Sequence, residues 1–282
     1  MKSCEAFVSP ESEYFVYTPS RSARELFFYP LQCGHFIYEA GYSLYRESYD
    51  SFLLMYITDG AMTLQQDGAS LHARAGDFLL LDCYRPHAYS TETGWECLWC
   101  HFDGPLARSW YEAIFSRTGC VYAMPQPCSA YDRLSAICDI FALGKPASEP
   151  LMSKYLTDIL TAFLLYTPSD AGRYGYMDMS EKIITYINEH FRETVTVEEL
   201  AAIAGLSQFH FIRAFKKETG FTPHEYILDT RFAAAKYLLK NSVVPIKDIC
   251  FRTGFCGESV FCTAFRRRYG MTPLEYRRRK GG

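Results

Sequence analysis

The stretch that decides the fold of the C-terminal third of the chain is Val197-Glu-Glu-Leu-Ala-Ala-Ile-Ala-Gly205-Leu-Ser207, followed by Gln208-Phe-His-Phe-Ile-Arg-Ala-Phe215. Apolar residues of the first part recur at helical spacing, which predicts a short amphipathic helix. Gly205 then predicts a left-handed cap and Ser207 the N-cap of a second helix. Phe211 and Phe215 predict the buried stripe of that second helix, which leaves its basic residues exposed.

The same pattern is written a second time. Ile246-Lys-Asp-Ile-Cys-Phe-Arg-Thr-Gly254 repeats the first helix and its glycine, and Thr-Pro pairs at Pro223 and Pro273 follow the second helices. Such a repeat predicts two helix-turn-helix units. The connecting helix, residues 222–241, would be roughly 30 Å long at ~1.5 Å per residue, close to the ~34 Å between consecutive major-groove faces. The alternative is a helical bundle with an incidental repeat.

Residues 180–280 resemble the DNA-binding domain of AraC-type transcription regulators. The resemblance is carried by Arg231, Ala235-Lys-Tyr-Leu-Leu, Pro245-Ile-Lys-Asp-Ile, Thr253-Gly-Phe255 and Gly270-Met-Thr-Pro-Leu-Glu-Tyr276. It implies that the second helix of each unit enters the major groove of DNA. By motif position, the residues that this implies at the DNA are Gln208, Phe209, Ile212 and Arg213 in the first unit, and Glu258, Ser259, Cys262 and Thr263 in the second. The other residues that we expect at the DNA are Ser207, His210, Lys216, Lys217 and Arg266.

The second unit departs from the family pattern at two positions. Thr263 stands where an arginine is common, and Gly257 where an aspartate or asparagine is common. Because threonine lacks the two-pronged donor that arginine offers to guanine, we expect weaker specific reading by the second unit.

Charge divides the chain in the same way. Residues 179–282 hold 17 Lys and Arg against 11 Asp and Glu, whereas residues 1–178 hold 12 against 21. A basic C-terminal domain, 179–282, is therefore expected to attract phosphates, and an acidic N-terminal part to face away from them. The tail Arg277-Arg-Arg-Lys280 is either a solvated helix end or a further phosphate contact.

The rest of the composition excludes several classes of protein. No run approaches the roughly eighteen apolar residues of a membrane span, and no signal sequence is seen, so we expect a cytoplasmic protein. Eleven scattered cysteines fit reduced thiols. Cys97-Leu-Trp-Cys100-His101 matches a haem attachment motif, but strand alternation would place the two cysteines on opposite faces, so no cofactor is expected. A closely spaced thiol pair such as this remains a candidate for redox sensitivity.

The sequence of the N-terminal half predicts β-strands. Phe52 to Thr58, Ala61 to Gln66 and Phe78 to Asp82 are apolar or alternating, and Asp59-Gly60 and Asp67-Gly68 predict turns. Regular short strands indicate a barrel or jelly roll. The order resembles the cupin-like effector domain of sugar-responsive AraC-type regulators. The expected fold class is thus α+β: an N-terminal β-barrel, the cupin-like sensor in residues 1–128, followed by an all-α double helix-turn-helix domain.

Between these domains we expect a helical segment, 129–167, and a linker, 168–178, rich in turn-forming residues. Leu151, Ile159 and Phe163 belong to a broad apolar face on the second helix of the segment. The family resemblance implies an antiparallel contact with a second copy, and therefore a homodimer. The alternative is a helix that packs only on its own barrel.

The barrel also predicts a small-molecule pocket. Aromatic residues of one strand parity, Tyr89, Trp95 and Trp99, would face it together with an arginine, and such groups stack on and hydrogen-bond to sugars. The expected effector-binding residues are Arg46, His87, Tyr89, Cys97 and Trp99, of which the resemblance to sugar-binding members implies the arginine, the tyrosine and Trp99. The alternative places both tryptophans in the barrel core. The family's N-terminal arm closes over the pocket, with Phe15 or Tyr17 as candidates here.

A metal enzyme is not expected. His72, His87 and His101 lack the His-x-His spacing of metal cupins. The sequence predicts a DNA-binding transcription regulator controlled by a small effector, expected to be a sugar. Its partners would be promoter DNA, a second copy and, for an activator, RNA polymerase. The other hypotheses are a regulator without a ligand, controlled by dimerisation or redox state, and a metal-dependent cupin enzyme.

Overall fold

The computed structural model describes residues 1–3, 5–124, 128–166 and 179–279. The chain forms two compact units, Met1–Tyr174 and Gly175–Gly282. The first is built on an antiparallel sheet with helices and the second is all helical, so the α+β class is confirmed. The expected linker 168–178 lies outside the described residues. In the described part of the chain, no helix combines the length and apolarity needed to cross a membrane.

The first unit contains nine described strands and four described helices. The strands are β1 (Glu13–Val16), β2 (Tyr29–Tyr38), β3 (Ser43–Arg46), β4 (Phe52–Gln66), β5 (Ala69–Arg74), β6 (Asp77–Asp82), β7 (His87–Ser90), β8 (Trp95–Asp103) and β9 (Val121–Ala123). The helices are α1 (Arg21–Leu26), α2 (Ala107–Thr118), α3 (Ser129–Ala142) and α4 (Glu149–Leu165).

Strand β4 organises the sheet because it pairs along its two halves with different partners. Its first half lies between β8 and β6, and its second half, Ala61–Gln66, lies between β5 and β7. The strand continues through Asp59 and Gly60, where a turn was expected. A register shift between Ile57 and Asp59 and a positive φ of 74° at Gly60 bend the strand instead of reversing it.

The sheet is open rather than closed into the expected barrel. Its main path runs β1-β2-β8-β4-β6-β9, and its two ends do not pair with each other. The bend in β4 curls the sheet and so gives it two unlike faces. Phe52, Leu54 and Phe78 pack beneath α2, α3 and α4 on one face, whereas Leu53 and Met55 point into the concave interior. Alternation along each strand produces this division.

The second unit contains seven described helices. They are α5 (Met179–His190), α6 (Val197–Ala204), α7 (Gln208–Thr219), α8 (Pro223–Asn241), α9 (Ile246–Arg252), α10 (Glu258–Tyr269) and α11 (Pro273–Arg278). Helices α6–α7 and α9–α10 are the two predicted helix-turn-helix units. Each has its own core: Leu200, Phe211 and Phe215 in the first, and Phe261 and Phe265 in the second.

Local capping fixes where these helices begin. Thr196, Thr222 and Thr272 each form a capping box with a glutamate three residues later. Each box satisfies backbone N–H groups that the first helical turn leaves without partners. Pro223 and Pro273 occupy the first position of their helices, where the missing N–H costs nothing.

One loop holds the two helix-turn-helix units together. Arg231 on α8 donates from Nε to the carbonyl oxygen of Phe191 and from a terminal nitrogen to that of Glu193, both at 2.7 Å. Gly254, which follows α9, has a φ of 82°, and a Cβ there would lie 2.7 Å from the same Phe191 oxygen. The long helix and the turn of the second unit therefore both meet the loop between α5 and α6.

We predict that Gly254→Ala destabilises the protein by about 2–4 kcal/mol, because a left-handed alanine is strained and its methyl group would collide with backbone. Gly270→Ala is the matched control, since its φ is also positive, at 73°, but the added carbon would meet no atom within 4 Å beyond its own local backbone and chain neighbours. That variant should lose only about 1 kcal/mol. Urea unfolding of both variants measures the difference, and equal losses would show that the close contact at Gly254 is unimportant.

Candidate functional site

Helices α7 and α10 present equivalent surfaces. Each buries two phenylalanines four residues apart, Phe211 with Phe215 and Phe261 with Phe265, so the opposite face of each helix is free. The structure brings the predicted DNA-contact residues onto these free faces. The exposed ones are Ser207, Gln208, Phe209, His210, Arg213, Lys216, Lys217, Glu258, Ser259, Thr263 and Arg266. Ile212 and Cys262 lie half-buried at the equivalent edge of each helix.

The two exposed faces differ in chemistry. On α7 the guanidinium of Arg213 lies 5.7 Å from the ring centre of Phe209, and that ring is 67% exposed. A cation over an aromatic face is held by the negative charge density of the ring. The positions equivalent to Phe209 and Arg213 on α10 are Ser259 and Thr263, which offer neither an apolar ring nor a charge.

The helix starts differ as well. Ser207 caps α7 by accepting from the backbone N–H of His210, and its oxygen also lies 3.0 Å from Nδ1 of the same histidine. Gly257 begins α10 without a side-chain cap. The departure from the family pattern noted at this position therefore removes a cap hydrogen bond.

Several basic groups on this unit have no acidic partner. Arg268 pairs with Asp229 at 2.9 Å, whereas Arg266 and Arg267 make no ion pair with any described residue. Arg277, by contrast, donates to the carbonyl oxygen of Val244 and is half-buried. Arg277 therefore anchors α11 in the fold, which decides against a simple solvated end at that residue.

A cavity of about 410 Å³ opens into the concave interior of the first unit. It brings together three predicted effector-binding residues, Arg46, Tyr89 and Trp99. The other residues that line it are Ser3, Glu5, Tyr14, Gln32, Phe36, Tyr38, Tyr49, Leu53, Met55 and His101. Ser3, Glu5 and Tyr14 come from the N-terminal segment, which pairs with the edge of β2.

Two predicted effector-binding residues do not line this cavity. Cys97 is fully buried in the inner core. His87 is 2% exposed, and its Nδ1 donates to the carbonyl oxygen of Arg85 at 2.9 Å. Burial lowers the pKa of His87, which keeps its ring neutral. Trp95 stacks on Tyr38 with ring centres 3.9 Å apart and belongs to the core, so the two tryptophans have different positions.

The arm residues expected over the pocket pack elsewhere. Phe15 and Tyr17 lie against Phe141 of α3, with ring centres 6.5 and 5.6 Å apart. The hydroxyl of Tyr17 also donates to Glu149 at the start of α4. Since alternate residues of β1 face opposite sides, Tyr14 reaches the cavity and Phe15 does not. Glu5 and Tyr14 were missed in the sequence because the pairing of this segment with β2 is not a local property.

Some polar groups of the cavity are paired with each other, and others are not. His101 Nδ1 lies 2.8 Å from the Ser51 hydroxyl, and the hydroxyl of Tyr49 donates to Gln32 at 2.7 Å. Burial, followed by the charge of Arg46, lowers the pKa of His101 to about 3, so this ring is neutral. Among the unpaired groups are two donors, the indole N–H of Trp99 and the guanidinium of Arg46, to which the described residues supply no hydrogen-bond partner.

Cys97 and Cys100 offer little to a redox mechanism as a pair. Cys97 and Cys100 lie in different cores on opposite faces of the sheet, as alternation predicted. Burial raises the pKa of both thiols, which leaves them protonated and inaccessible. Among the residues that the structure describes, no group of three or more His, Cys, Asp or Glu could hold a metal ion.

The apolar face of α4 is used mostly within its own unit. Leu156, Ile159, Leu160 and Phe163 are buried against the sheet and α3. Tyr155 and Leu164 are half-buried, and Leu151 remains exposed. Only the outer edge of the predicted stripe is therefore available to a second copy.

Both units match known families. Residues 29–160 match the model of an AraC-like ligand binding domain, and residues 200–279 match that of a helix-turn-helix domain. The Msm operon regulatory protein of Streptococcus mutans is 25% identical over 252 residues, which are 85% of this chain and 88% of that protein. The MmsAB operon regulatory protein of Pseudomonas aeruginosa is 25% identical over 258 residues, 89% and 83% of the two chains.

Other similarities cover only part of one chain or show little structural overlap. The probable transcriptional regulator LumQ of Photobacterium leiognathi is 39% identical over 94 residues, so the match spans 33% of this chain and 38% of LumQ. The DNA-binding domain of AdpA, solved in complex with a target DNA, is 32% identical with a TM-score of 0.35 and covers 36% of this chain and 91% of its own. ToxT from Vibrio cholerae is 14% identical, with a TM-score of 0.33. The match covers 89% of this chain and 96% of ToxT.

We predict that Arg213→Ala costs about 1–3 kcal/mol in binding to a preferred DNA site, because an exposed arginine can offer two donors to a guanine edge and alanine offers none. Thr263→Ala, the change at the equivalent position of α10, should cost less. The measurement is DNA affinity of the full-length protein for a site selected from a random-sequence library. Losses of equal size would mean that both helices read bases with similar strength.

Proposed function

This chain belongs to the AraC family of transcription regulators, a family of DNA-binding proteins rather than enzymes, and from that premise we propose that it controls transcription in response to a small polyhydroxylated effector, a sugar in the first instance. The observation that carries the proposal is the pair of equivalent exposed helices, α7 and α10, in one unit and a cavity with aromatic walls in the other.

The length of α8 supports contact with two successive major grooves. The helix has 19 residues, which at ~1.5 Å per residue span roughly 28 Å. Consecutive major-groove faces on one side of a duplex lie ~34 Å apart. In the proposal, Arg213 and Phe209 read base edges, the arginine at guanine and the ring at a thymine methyl group. Arg266 and the lysines of α7 contact phosphates, which position the protein without specifying sequence.

The cavity supports a sugar-sized effector. Its volume of about 410 Å³ lies within the range of roughly 300–1,000 Å³ typical of ligand pockets. Tyr89 and Trp99 supply faces that stack on the C–H surface of a sugar ring, and Arg46 supplies donors to its oxygens. An effector alters transcription only if it favours one state of the protein over another, so its affinity and DNA affinity must be linked.

The proposal includes two protein partners. The second copy would contact the exposed edge of α4 around Leu151, since that helix is otherwise covered by its own unit. An activator would also contact RNA polymerase.

We predict salt-sensitive binding of residues 179–282 to DNA from the region upstream of the gene. Log affinity should fall linearly with log salt, with a slope of about −0.9 for each phosphate neutralised. Changing both Lys216 and Lys217 to Gln in the full-length protein should reduce the slope by up to about 2. Lys145→Gln, an exposed change in the first unit, is the control. The proposal fails if this fragment does not bind the upstream DNA at low salt.

We predict that an effector quenches or enhances tryptophan fluorescence, because Trp99 lines the cavity and Trp95 packs nearby. Trp99→Ala and Arg46→Ala should each weaken binding of that effector by about tenfold or more, the scale of one lost polar or stacking contact. Tyr45→Ala is the matched control, because Tyr45 precedes Arg46 on β3 and is 66% exposed. If a ligand regulates DNA binding but both cavity variants bind it normally, the effector site lies elsewhere.

A further inference from the structure

Arg46 differs from the other half-exposed arginines of its unit. Arg85 and Arg108 both pair with Asp82, and Arg133 pairs with Asp158. No carboxylate among the described residues lies within salt-bridge distance of Arg46, whose guanidinium only rests over the ring of Tyr49 at 5.0 Å. A partly buried cation without an anion is unfavourable, because it has lost water without gaining a charged partner.

A second donor without a partner lines the same cavity. Trp99 is 7% exposed, and its indole N–H makes no hydrogen bond within the described part of the chain. An indole N–H donates and cannot accept. Arg46 and Trp99 therefore both call for acceptor oxygens, and neither can satisfy the other.

A negative charge lies at a different position in the cavity. Glu5 accepts from the hydroxyl of Tyr42 at 3.0 Å through one oxygen of its carboxylate. Burial raises the pKa of Tyr42, Tyr89 and Glu5 raise it further, and Arg46 lowers it. At His101, burial and then Arg46 lower the pKa. The cavity thus carries both a guanidinium and a carboxylate, which form no ion pair with each other among the described residues.

We propose that the effector is a polyhydroxylated carboxylate, of the aldonate or uronate type, rather than a neutral sugar. Its carboxylate binds the guanidinium of Arg46 and the indole N–H of Trp99, and its hydroxyl groups donate to Glu5. The inference rests on the proposed function, in which this cavity binds the effector.

The chemistry of each group supports this assignment. A guanidinium and a carboxylate form two parallel charge-assisted hydrogen bonds, which are about twice as strong as neutral ones. A neutral sugar would leave Arg46 without an anion. A simple carboxylate without hydroxyl groups would offer no donor to the Glu5 oxygen that does not accept from Tyr42. An aminated sugar would, like a neutral one, leave Arg46 without an anion. A ligand with an anionic group and hydroxyl donors complements both Arg46 and Glu5.

The test is calorimetric titration of the full-length protein with matched pairs of ligands. Each sugar of the panel, which includes pentoses and the hexoses glucose and galactose, is compared with its aldonate and uronate. Glucosamine represents the aminated sugars. We expect at least one acid to bind about tenfold or more tightly than its neutral parent, a difference of about 1.4 kcal/mol. Glucosamine should bind more weakly than the acids, because it brings no anion to Arg46.

Two variants assign the contacts. Arg46→Gln should weaken binding of the acid by more than that of the neutral parent, so that most of the preference for the acid is lost. Trp99→Phe keeps an aromatic face and removes the N–H, so it should weaken binding of the acid severalfold and that of the neutral sugar less. Arg24→Gln, an exposed change outside the cavity, is the control and should bind like the parent protein. Thermal unfolding of each variant checks that it is folded.

The outcomes separate the inference from the proposed function. If neutral sugars bind as tightly as their acids, or Arg46→Gln weakens both equally, the carboxylate assignment is wrong and the sugar effector survives. If no sugar and no acid of the panel binds while DNA binding is intact, the inference and the effector part of the proposed function both fail.

Discussion

The arrangement of the second unit depends on the contacts that Arg231 and Gly254 make with the loop between α5 and α6. Each helix-turn-helix has its own small core, so neither core alone determines how the two exposed helices are oriented. Arg231 ties α8 to the loop by two hydrogen bonds, and Gly254 lets the second turn approach the same backbone. The proposed function requires a rigid connection of this kind, because two helices read adjacent grooves only when their separation matches that of the grooves.

In the first unit, one long strand, β4, determines the shape of the sheet. Because β4 bends at Gly60, it takes part in both halves of the sheet, and its alternating residues separate support from binding. Leu54 packs beneath the helices, whereas Met55 lines the cavity on the other face. The helical layer therefore carries the burial that stabilises the unit, and the concave face is free to hold polar groups such as Arg46 that a continuous core would exclude.

Local signals explain what the sequence predicted well. Ser207, Gly220 and the Thr222-Pro223 pair act within one turn of their own positions, so helix boundaries in the second unit were readable. Strand parity placed Tyr89 and Trp99 at one pocket, but it gave the same parity to Trp95 and Cys97, which do not line that pocket. Contacts between residues distant in sequence decide which positions of a strand reach the cavity. They also decide that β4 bends at Asp59-Gly60 and that pairing of the N-terminal segment with β2 brings Glu5 to the cavity.

The two exposed helices show that a repeated core does not require a repeated surface. Phe211 and Phe215 correspond one for one to Phe261 and Phe265, because the same packing must be met twice. The outer residues face only solvent or a ligand and are free to differ. They do differ at the position that is Arg213 in α7 and Thr263 in α10, whereas the position of Lys216 and Arg266 is basic in both helices. Charge is sufficient for phosphate contact, whereas base reading needs particular donors. In the proposed function, a division between one specific and one mainly electrostatic helix follows from this difference.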